Sequence, residues 1–530
     1  MAAPDPDAAG APSLAAAAAQ DELFTEVAQP RLNPRQEALL GTIRSRPATA
    51  EVRIARLAAA PAARLRRGAA LGLTVAPGKR FVAVGERVTE RGPDNVSWGG
   101  KLRSEGGEAD LVLSGDGVTG AVRGETEAYE IEPLGGGLHA IVRVDPAKLP
   151  PEHPVTHPAG ALVVPPHAQT AVPEGPRVQR APSGGGGTGG IPDPTAQHHG
   201  GPDIDVLVVY TPSAASAHGN IGSLAQLAVD LANTSYGNSN VYAHQVLVHT
   251  AQVSYTEGSG SHQDHLNRLQ NWSDGVMDNA NSLRNQYLAD VVVLIVNDSE
   301  ACGLASAIRA SGTQAWAVVH YSCIASNYSF AHEIGHLQGA RHDRAVDSNT
   351  SPFAWGHGFI APGNAWRTIM AYPNACSNCT RVNYWSNSYV TYPGTTQPMG
   401  TTNHEDNARV LNYTKYDVRD FRAISPPYGL TVTNEYSYGD YPHFTWSRVP
   451  GAWYHTIHRC VTTAGYYYDS CFYGVGGDEG ELVDLANWRD YDYTLAPSWN
   501  GCSTTAMYRV TATDRTGESG WTTQISLCVQ

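Results

Sequence analysis

Residues 330–343 have the sequence FAHEIGHLQGARHD, which places three histidines, one glutamate and a glycine within a short stretch. On a helix, His332 and His336 lie four residues apart, so both side chains emerge from one face about one turn apart. That spacing lets two imidazole nitrogens reach one metal ion at about 2.0–2.1 Å. Gly339 would end the helix, since glycine tolerates positive φ, and the chain could then bring His342 to the same point. The stretch therefore predicts a metal site with three histidine ligands.

Glu333 is predicted to act beside the metal rather than as one of its ligands. On a helix it is rotated about 100° from His332, which leaves it within reach of a water molecule at the metal. Three protein ligands leave a fourth position for water, which is the arrangement of a catalytic zinc site. The alternative is a chance accumulation of histidines, but the pattern HExxHxxGxxH is far rarer than HExxH alone. We therefore expect one catalytic Zn²⁺ ion.

The length and charge of the chain limit the classes of protein to which it can belong. At 530 residues it is too long for one hydrophobic core, so several domains are expected. The formal net charge of -14 argues against a nucleic-acid partner, because such partners attract clustered Lys and Arg. No stretch approaches about eighteen consecutive apolar residues, so no membrane span is predicted.

The eight cysteines all lie after residue 301, and their even number and wide spacing predict four disulfides and an oxidising, extracellular compartment. Cys376 and Cys379 form a CxxC pair that could be half of a zinc ribbon. No second CxxC exists, so a short-loop disulfide is favoured. The first twenty residues contain two Asp, no Lys or Arg and only an Ala run, unlike a signal peptide. We expect that a signal peptide has been trimmed from this sequence.

The first half of the chain divides into two regions. Residues 1–145 are predicted to be a propeptide. Its stretch from 21 to about 70 has helical spacing, as in EVRIARLAAAPAARLRR, and short alternating runs such as RFVAVGERV and HAIVRVD then predict a β-rich unit. Residues 146–203 are rich in Pro and Gly, cannot bury a core and are predicted to be a flexible linker that contains the activation cleavage region.

Residues 204–424 are predicted to be an α/β domain with a mostly parallel, twisted sheet, because candidate strands alternate with candidate helices. The candidate strands are IDVLVVYT (204–211), HQVLVHTAQVSY (244–255), ADVVVLIVN (289–297), CGLASAI (302–308) and AWAVVHY (315–321). The quoted metal-binding helix follows them, and a last helix is expected within 403–422.

Residues 427–530 are predicted to be an all-β sandwich. The region is rich in aromatic residues and short strands, and over about 100 residues it resembles a fibronectin type III module. The resemblance is carried by Pro427, Leu430, Trp446, Tyr454 and Tyr508. Its four cysteines depart from the usual cysteine-free module. We expect the pairs Cys460–Cys471 and Cys502–Cys528, each closing a loop within one sandwich, although sequence does not fix connectivity.

HEIGHLQGARHD resembles the zinc-binding motif of the metzincin metallopeptidases, and this resemblance implies a methionine-containing turn below the metal. The segment TIMAY (368–372) supplies Met370 for that turn. Tyr372 stands where astacin-like and serralysin-like members keep a tyrosine that ligates zinc or stabilises the oxyanion, whereas Asp343 matches reprolysin-like and snapalysin-like members. Together with IDVLVVYT and DNARVLN, the mixed signature resembles the bacterial peptidyl-Asp metallopeptidases, well over 204–424 and loosely over the β-rich N-terminal region.

The resemblance implies a secreted zinc endopeptidase made as a zymogen. Glu333 would take a proton from the attacking water and pass it to the leaving amine, while Tyr372 would help to hold the oxyanion. The segment Gly303-Leu304-Ala305 would pair with the substrate backbone as an added strand. An ordinary edge strand is an equally good interpretation of that segment.

Cleavage on the amino side of Asp, which the resemblance also implies, requires a cation in the pocket for the residue after the scissile bond. Arginine suits a buried carboxylate because it binds in a bidentate manner. Arg381 and Arg409 are the candidates, with Arg367 as a third. Each of them could instead be a surface residue or part of a structural ion pair.

Latency in this chain cannot depend on a cysteine, because the region before residue 204 contains none. We expect inhibition by steric cover, with a linker carboxylate or histidine on zinc as a further option. Cleavage between about 170 and 203 would relieve it, and RVQR (177–180) is one candidate site. His198, His199 and His404 are weaker metal candidates that solvated or surface positions explain, and no calcium site is expected.

Two rival functions remain open at this stage. One is a cell-surface binding protein with an inactive peptidase fold, and the other is a zinc amidase that acts on cell-wall peptides. The expected partners are protein or peptide substrates. We expect a monomer whose C-terminal domain binds substrate or a surface.

Overall fold

The computed structural model describes residues 22–154 except 28 and 104–105, residues 202–422, and strand segments between 428 and 529. The chain divides into two compact units, Met1–Val418 and Arg419–Gln530. No helix within the described residues is long and apolar enough to cross a membrane.

The N-terminal part of the first unit is one sheet of nine strands. They are β1 (Phe24–Glu26), β2 (Thr49–Leu57), β3 (Ala70–Ala76), β4 (Lys79–Gly92), β5 (Asn95–Leu102), β6 (Glu108–Ser114), β7 (Gly117–Arg123), β8 (Ala128–Gly135) and β9 (Leu138–Val144). Their order is β1-β2-β9-β8-β7-β6-β5-β4-β3, and every neighbouring pair is antiparallel. A large apolar cluster that includes Phe81, Trp98 and Leu111 forms its core. The predicted β-rich unit is thus present and larger than expected.

The helical stretch predicted from 21 to about 70 is confirmed only at one helix and is wrong over 51–67. The helix of this part is α1 (Pro34–Ser45), which Asn33 begins through a capping box with Gln36. The segment EVRIARL lies instead in β2, between β1 and β9. Val52 and Ile54 are β-branched and two residues apart, so pairing with β9 prevails over the helical spacing of the alanines and leucines.

The second part of the first unit contains the predicted mostly parallel sheet. Its strands are β10 (Asp203–Tyr210), β11 (His244–Gln252), β12 (Val291–Val296), β13 (Gly303–Ala305) and β14 (Trp316–His320), in the order β11-β10-β12-β14-β13. All pairs are parallel except β13 with β14. The antiparallel β13 therefore lies at the edge of the sheet.

Helices pack on this sheet, and one of them carries the predicted metal-binding motif. They are α2 (Pro212–Ala217), α3 (Ile221–Asn238), α4 (His262–Gln270), α5 (Asp278–Tyr287), α6 (Cys323–Asn327), α7 (Ser329–Gln338) and α8 (Asn407–Arg419). Helix α7 is buried along its whole length and ends at Gly339, which has φ of 110° as the sequence predicts. Disulfides join Cys302 to Cys323 and Cys376 to Cys379, which confirms the short-loop bridge.

The nine-stranded sheet docks against the α/β part through buried polar groups. Arg46 binds Glu132 of β8 at 2.9 Å and the carbonyl of Ala217 at 2.7 Å. The Thr234 hydroxyl donates to Asp110 at 3.1 Å, and the Ser326 hydroxyl donates to Glu130. Because buried polar atoms need partners, these hydrogen bonds determine how the two parts are oriented. Burial of apolar surface alone would not do so.

The second unit, described by itself, contains two antiparallel sheets. One consists of β15 (Tyr428–Asn434), β16 (Pro442–Ser447) and β19 (Leu485–Arg489). The other consists of β17 (Tyr454–Thr462), β18 (Tyr473–Glu479), β20 (Thr504–Asp514), β21 (Gly517–Glu518) and β22 (Ile525–Val529). Phe444 and Trp446 from the first sheet share a core with Ile457 and Tyr508 from the second. The predicted pairs Cys460–Cys471 and Cys502–Cys528 involve residues outside those that the structure describes.

Replacing Glu130 by Gln should stabilise the first unit at alkaline pH. Burial, with the neighbouring Glu132 charge, raises the pKa of Glu130 from 4.5 to about 7. When the pKa of an acid is higher in the folded than in the unfolded protein, the acid does not lower stability at pH values below the unfolded pKa. It lowers stability by the full amount at pH values above the folded pKa, so the loss grows between the two. Glu130→Gln should therefore raise the free energy of unfolding by about 1–3 kcal/mol at pH 8 and little at pH 4.

Urea unfolding at both pH values checks this expectation. Glu37→Gln, at an exposed position on α1, is the matched control and should show no such pH-dependent gain. An equal effect of Glu130→Gln at the two pH values would contradict the assignment of the buried charge.

Candidate metal centre

Helix α7 holds His332 and His336 with their metal-facing nitrogens oriented by backbone carbonyls. His332 Nδ1 lies 2.9 Å from the Ile369 carbonyl, and His336 Nδ1 lies 2.9 Å from the Ala340 carbonyl. A carbonyl can only accept, so each Nδ1 carries the proton and each Nε2 presents a lone pair. The two imidazoles are therefore fixed in the tautomer that a metal requires.

His342 completes the set after the chain turns at Gly339. Its Nε2 lies 3.2 Å from that of His332 and 2.8 Å from that of His336. Tetrahedral ligands about 2.0–2.1 Å from zinc would lie roughly 3.3 Å apart, so the donor set fits a metal ion of that kind. The His342 carbonyl accepts from His357 Nδ1 at 2.8 Å, which anchors the backbone behind the ligand.

A fourth histidine, His153, comes to the same point from the end of the N-terminal part. Ligand atoms of His153 and the other three histidines all lie within 4.8 Å of one another, and all four residues are buried. Both ring nitrogens of His153 lack a hydrogen-bond partner among the described residues, although Nε2 lies 3.4 Å from Glu333 Oε1. A buried imidazole without hydrogen bonds is costly, and a metal ligand role would remove that cost.

Glu333 projects from α7 towards the same space, where it faces the edge strand. A Cβ atom at Gly303 would overlap its carboxylate, so only glycine at the start of β13 leaves room for this side chain. Glu333 is buried, and its Oε2 has no hydrogen-bond partner among the described residues. A carboxylate oxygen is thus available beside the metal ligands.

The segment around Met370 packs against helix α7 beside the three histidines. Met370 is fully buried, and a Cβ atom at Gly335 of α7 would lie 3.2 Å from its sulfur and 2.6 Å from the Trp385 ring. The small Gly335 therefore permits the close approach of helix and turn. Tyr372 N donates to Asp343 Oδ2 at 2.9 Å, which ties this turn to the residue after the third histidine.

The Tyr372 ring packs beside the histidines, with its centroid 4.5 Å from that of His342. Its hydroxyl is buried and has no hydrogen-bond partner among the described residues. Burial, reinforced by the charges of Glu152 and Glu333, holds the pKa of Tyr372 well above its usual value. The phenol therefore remains a proton donor at any physiological pH.

Two buried arginines beside the centre hold a carboxylate. Arg381 Nη1 lies 3.0 Å and Arg367 Nη2 lies 3.2 Å from the carboxylate oxygens of Glu152, and Asn327 Nδ2 donates to it at 3.0 Å. Burial alone would raise the pKa of Glu152, but the two guanidinium groups and Asn327 outweigh it and lower that pKa. The Ala371 carbonyl, between Met370 and Tyr372, accepts from both arginines.

The sequence only partly predicts this pocket. Arg381 is one of its two main arginine candidates and Arg367 is the third, and the structure brings both together. Arg409 stacks on the Trp355 ring at 3.9 Å instead and is not among the groups that hold Glu152. Residues 150–154 were assigned to the linker, and the only signal for their role was a glutamate and a histidine between prolines, PPEHP.

The edge strand β13 pairs with the same segment. Cys302 N donates to the Pro151 carbonyl at 2.6 Å and Gly303 N to the Glu152 carbonyl at 3.2 Å. Leu304 and Ala305 are buried in the sheet and continue the strand. The weaker metal candidate His404 is exposed and lies near Arg344, while His198 and His199 lie outside the described residues.

Comparisons with known proteins agree with this geometry. Residues 202–386 match the model of metallopeptidase family M12. A peptidyl-Asp metalloendopeptidase of Stenotrophomonas maltophilia is 40% identical over 431 residues, which cover 77% of this chain and 96% of that protein. One from Xanthomonas campestris is 44% identical over 314 residues, covering 59% of this chain and 69% of that protein.

More distant matches add little. A peptidyl-Asp metalloendopeptidase of Pseudomonas aeruginosa is 28% identical over 268 residues, covering 45% of this chain and 43% of that protein. A Fn3-like protein from Clostridium thermocellum covers 20% of this chain and 92% of its own at 21% identity, with a TM-score of 0.15 that establishes no fold. The extended match to the Stenotrophomonas enzyme, together with the histidine site, is decisive. The chain is a zinc metalloendopeptidase and belongs to the peptidyl-Asp metalloendopeptidase family.

Proposed function

We propose that the chain is a secreted endopeptidase, made as a zymogen, that uses one zinc ion and cuts on the amino side of Asp or Glu. The observation that carries this proposal is a carboxylate held by two buried arginines directly beside the three-histidine centre. The relatives named peptidyl-Asp metalloendopeptidases support the same specificity.

His332, His336 and His342 would hold the metal. Zinc bound there would lower the pKa of a water molecule and polarise the scissile carbonyl. Glu333 Oε2, which is buried and has no partner among the described residues, accepts the proton of the attacking water. The protonated Glu333 then delivers that proton to the amine nitrogen that leaves.

Tyr372 would stabilise the negative charge that develops on the substrate oxygen. Its phenol remains protonated, and its hydroxyl has no competing partner among the described residues, so it can donate to that oxygen. A donor fixed in a buried site costs little reorganisation when the charge forms, which is the basis of oxyanion stabilisation.

Substrate backbone would bind along Gly303-Leu304-Ala305. The edge of β13 that does not pair with β14 offers peptide groups for strand addition, and the Gly303 amide there already binds the carbonyl of Glu152. Such pairing would place the side chain of the residue after the scissile bond near Arg381 and Arg367. A substrate carboxylate there would take the place that Glu152 occupies.

Secretion and domain roles follow from separate features. Two disulfides within 302–379 suit an oxidising compartment. Residues before the linker would be the propeptide, and the fibronectin type III-like C-terminal region would bind large substrates or a surface. No observation favours an inactive binding protein or a cell-wall amidase, because the metal ligands and Glu333 are all in place.

Metal removal and substitution of Glu333 test the mechanism separately. Purified enzyme should contain about one zinc ion per chain, and chelation should abolish peptide cleavage. Glu333→Gln should keep the metal, since Glu333 is not a ligand, but lose activity by about 10²-fold or more. Metal analysis alongside a peptide assay measures both effects. A Glu333→Gln enzyme of normal activity would refute the assigned role.

Removing Arg381 should impair cleavage before acidic residues selectively. Arg381→Ala deletes one of two guanidinium groups in the pocket. For an Asp-containing peptide, kcat/KM should therefore fall, relative to a neutral peptide, by a factor that corresponds to roughly 2–4 kcal/mol of transition-state stabilisation. Arg381→Lys, which keeps the charge, should lose less. Arg409→Ala is the matched control and should leave the Asp preference intact. An enzyme without preference for Asp or Glu would contradict the specificity but not the peptidase.

Deleting residues 427–530 should leave cleavage of short peptides largely unchanged. The metal ligands, Glu333 and the arginine pocket all belong to the first unit, whereas the deleted region forms its own core. Binding to large or insoluble proteins should weaken in a co-sedimentation assay. Loss of peptide cleavage in a folded truncation would show that the C-terminal region belongs to the catalytic unit.

A further inference from the structure

Residues 150–154, Pro-Pro-Glu-His-Pro, lie beside the candidate metal centre and contact its arginines, its histidines and the edge strand β13. Glu152 binds the arginine pocket, His153 lies among the metal ligands, and the carbonyls of Pro151 and Glu152 bind the edge strand.

We infer that this segment is a built-in inhibitor in which Glu152 imitates the acidic residue of a substrate and His153 supplies a fourth ligand to the metal. The inference rests on the proposed function and specifies how the zymogen is kept inactive. It requires no cysteine, in keeping with the absence of cysteine before residue 302.

The contacts of Glu152 are those expected of a substrate carboxylate. Its two oxygens are shared between Arg367 and Arg381, and Asn327 provides a third donor. Paired, charge-assisted hydrogen bonds in a buried pocket are strong and geometrically specific. While Glu152 is in place, no carboxylate of a substrate can enter.

The contacts of His153 indicate a ligand rather than a space-filling residue. Its ring lies 4.8 Å from that of His342, 5.3 Å from that of His336 and 5.4 Å from that of His332. Neither of its nitrogens has a hydrogen-bond partner among the described residues. A fourth imidazole would close the position that a catalytic zinc keeps for water, which converts an open site into a closed one.

The direction of the segment explains why it is not itself a substrate. In a peptide cut on the amino side of an acidic residue, the carbonyl at the metal belongs to the residue before the acid. Here the residue at the metal, His153, follows the acid, so the chain runs in the opposite sense. The carbonyl between Glu152 and His153 is bound instead by the Gly303 amide.

Prolines on both sides keep the segment in an extended form. Pro150 and Pro151 precede Glu152, and Pro154 follows His153. Proline fixes its own φ and disfavours helical backbone in the residue before it. The segment therefore loses less conformational entropy when it binds than an unrestrained peptide would.

Cobalt substitution tests the fourth ligand independently of activity. In the full-length chain carrying Glu333→Gln, which prevents self-cleavage, His153→Ala should change the visible absorption spectrum of bound Co²⁺, because one nitrogen ligand is replaced by water. Lys148→Ala, at an exposed position a few residues earlier, should leave the spectrum unchanged. An identical Co²⁺ spectrum with and without His153 would overturn the ligand assignment.

Latency is tested in the full-length chain with native Glu333. For each variant, hydrolysis of an Asp-containing peptide is compared before and after cleavage of the linker, with gel analysis to verify that the first sample is uncut. Glu152→Gln and His153→Ala should each raise the activity of the uncut chain at least tenfold, and Lys148→Ala should not. The activity after cleavage and removal of the N-terminal part should be the same for all variants, since the segment has then left the site.

The outcomes separate this inference from the proposed function. If the cleaved enzymes prefer Asp but the uncut variants stay as latent as the parent, the inhibitor role is wrong and the proposed function stands. If no cleaved enzyme acts on Asp peptides, the proposed function fails, and the Co²⁺ spectrum still decides the role of His153. Thermal melting of each variant shows whether it is folded, and Glu152→Gln keeps the shape of the native side chain.

Discussion

The buried pair of guanidinium groups at Arg367 and Arg381 is the constraint on which this active site depends. Both side chains are almost fully buried, and burial together with the charge of Arg381 lowers the pKa of Arg367 to about 9. Two adjacent buried cations are unfavourable unless an anion joins them. In the described chain that anion is Glu152, and after its departure an acidic substrate would supply the same charge. In the proposed zymogen, latency and specificity would thus arise from one interaction.

The site residues that are close to one another in the sequence could be predicted from the sequence. His332, Glu333 and His336 share one helix, so their spacing determines their relative positions, and Gly339 with its φ of 110° marks where the chain returns His342. The parallel sheet was equally accessible, because buried strands such as β12 are continuous apolar runs. The Met370 turn needed the family resemblance, since one methionine carries no periodic signal.

The groups that approach from a distance could not be predicted. Glu152 and His153 lie in a proline-rich stretch whose composition indicates a linker, and no local pattern connects them to residues about 180 positions later. The choice among three arginines was undecided for the same reason, because only the tertiary structure separates Arg381 from Arg409. In β2, the positions of Val52 and Ile54 fit both a helical and a strand periodicity. The pairing with β9 favours the strand, and it too is a contact between residues distant in sequence.

The interface between the nine-stranded sheet and the α/β part contains carboxylates with shifted pKa values. Glu130 and Asp110 are buried there, and burial raises their pKa values to about 7 and about 6. Glu132 and Glu108 have lowered pKa values despite burial, and Arg46 and Lys101, the largest causes of the lowering, belong to the same N-terminal part of the chain. If the N-terminal part left, Glu130 and Asp110 would meet water and lose their protons at neutral pH. By linkage these two carboxylates would favour the docked state at acidic pH, whereas His218, whose pKa burial lowers, would take up a proton on separation and act in the opposite sense.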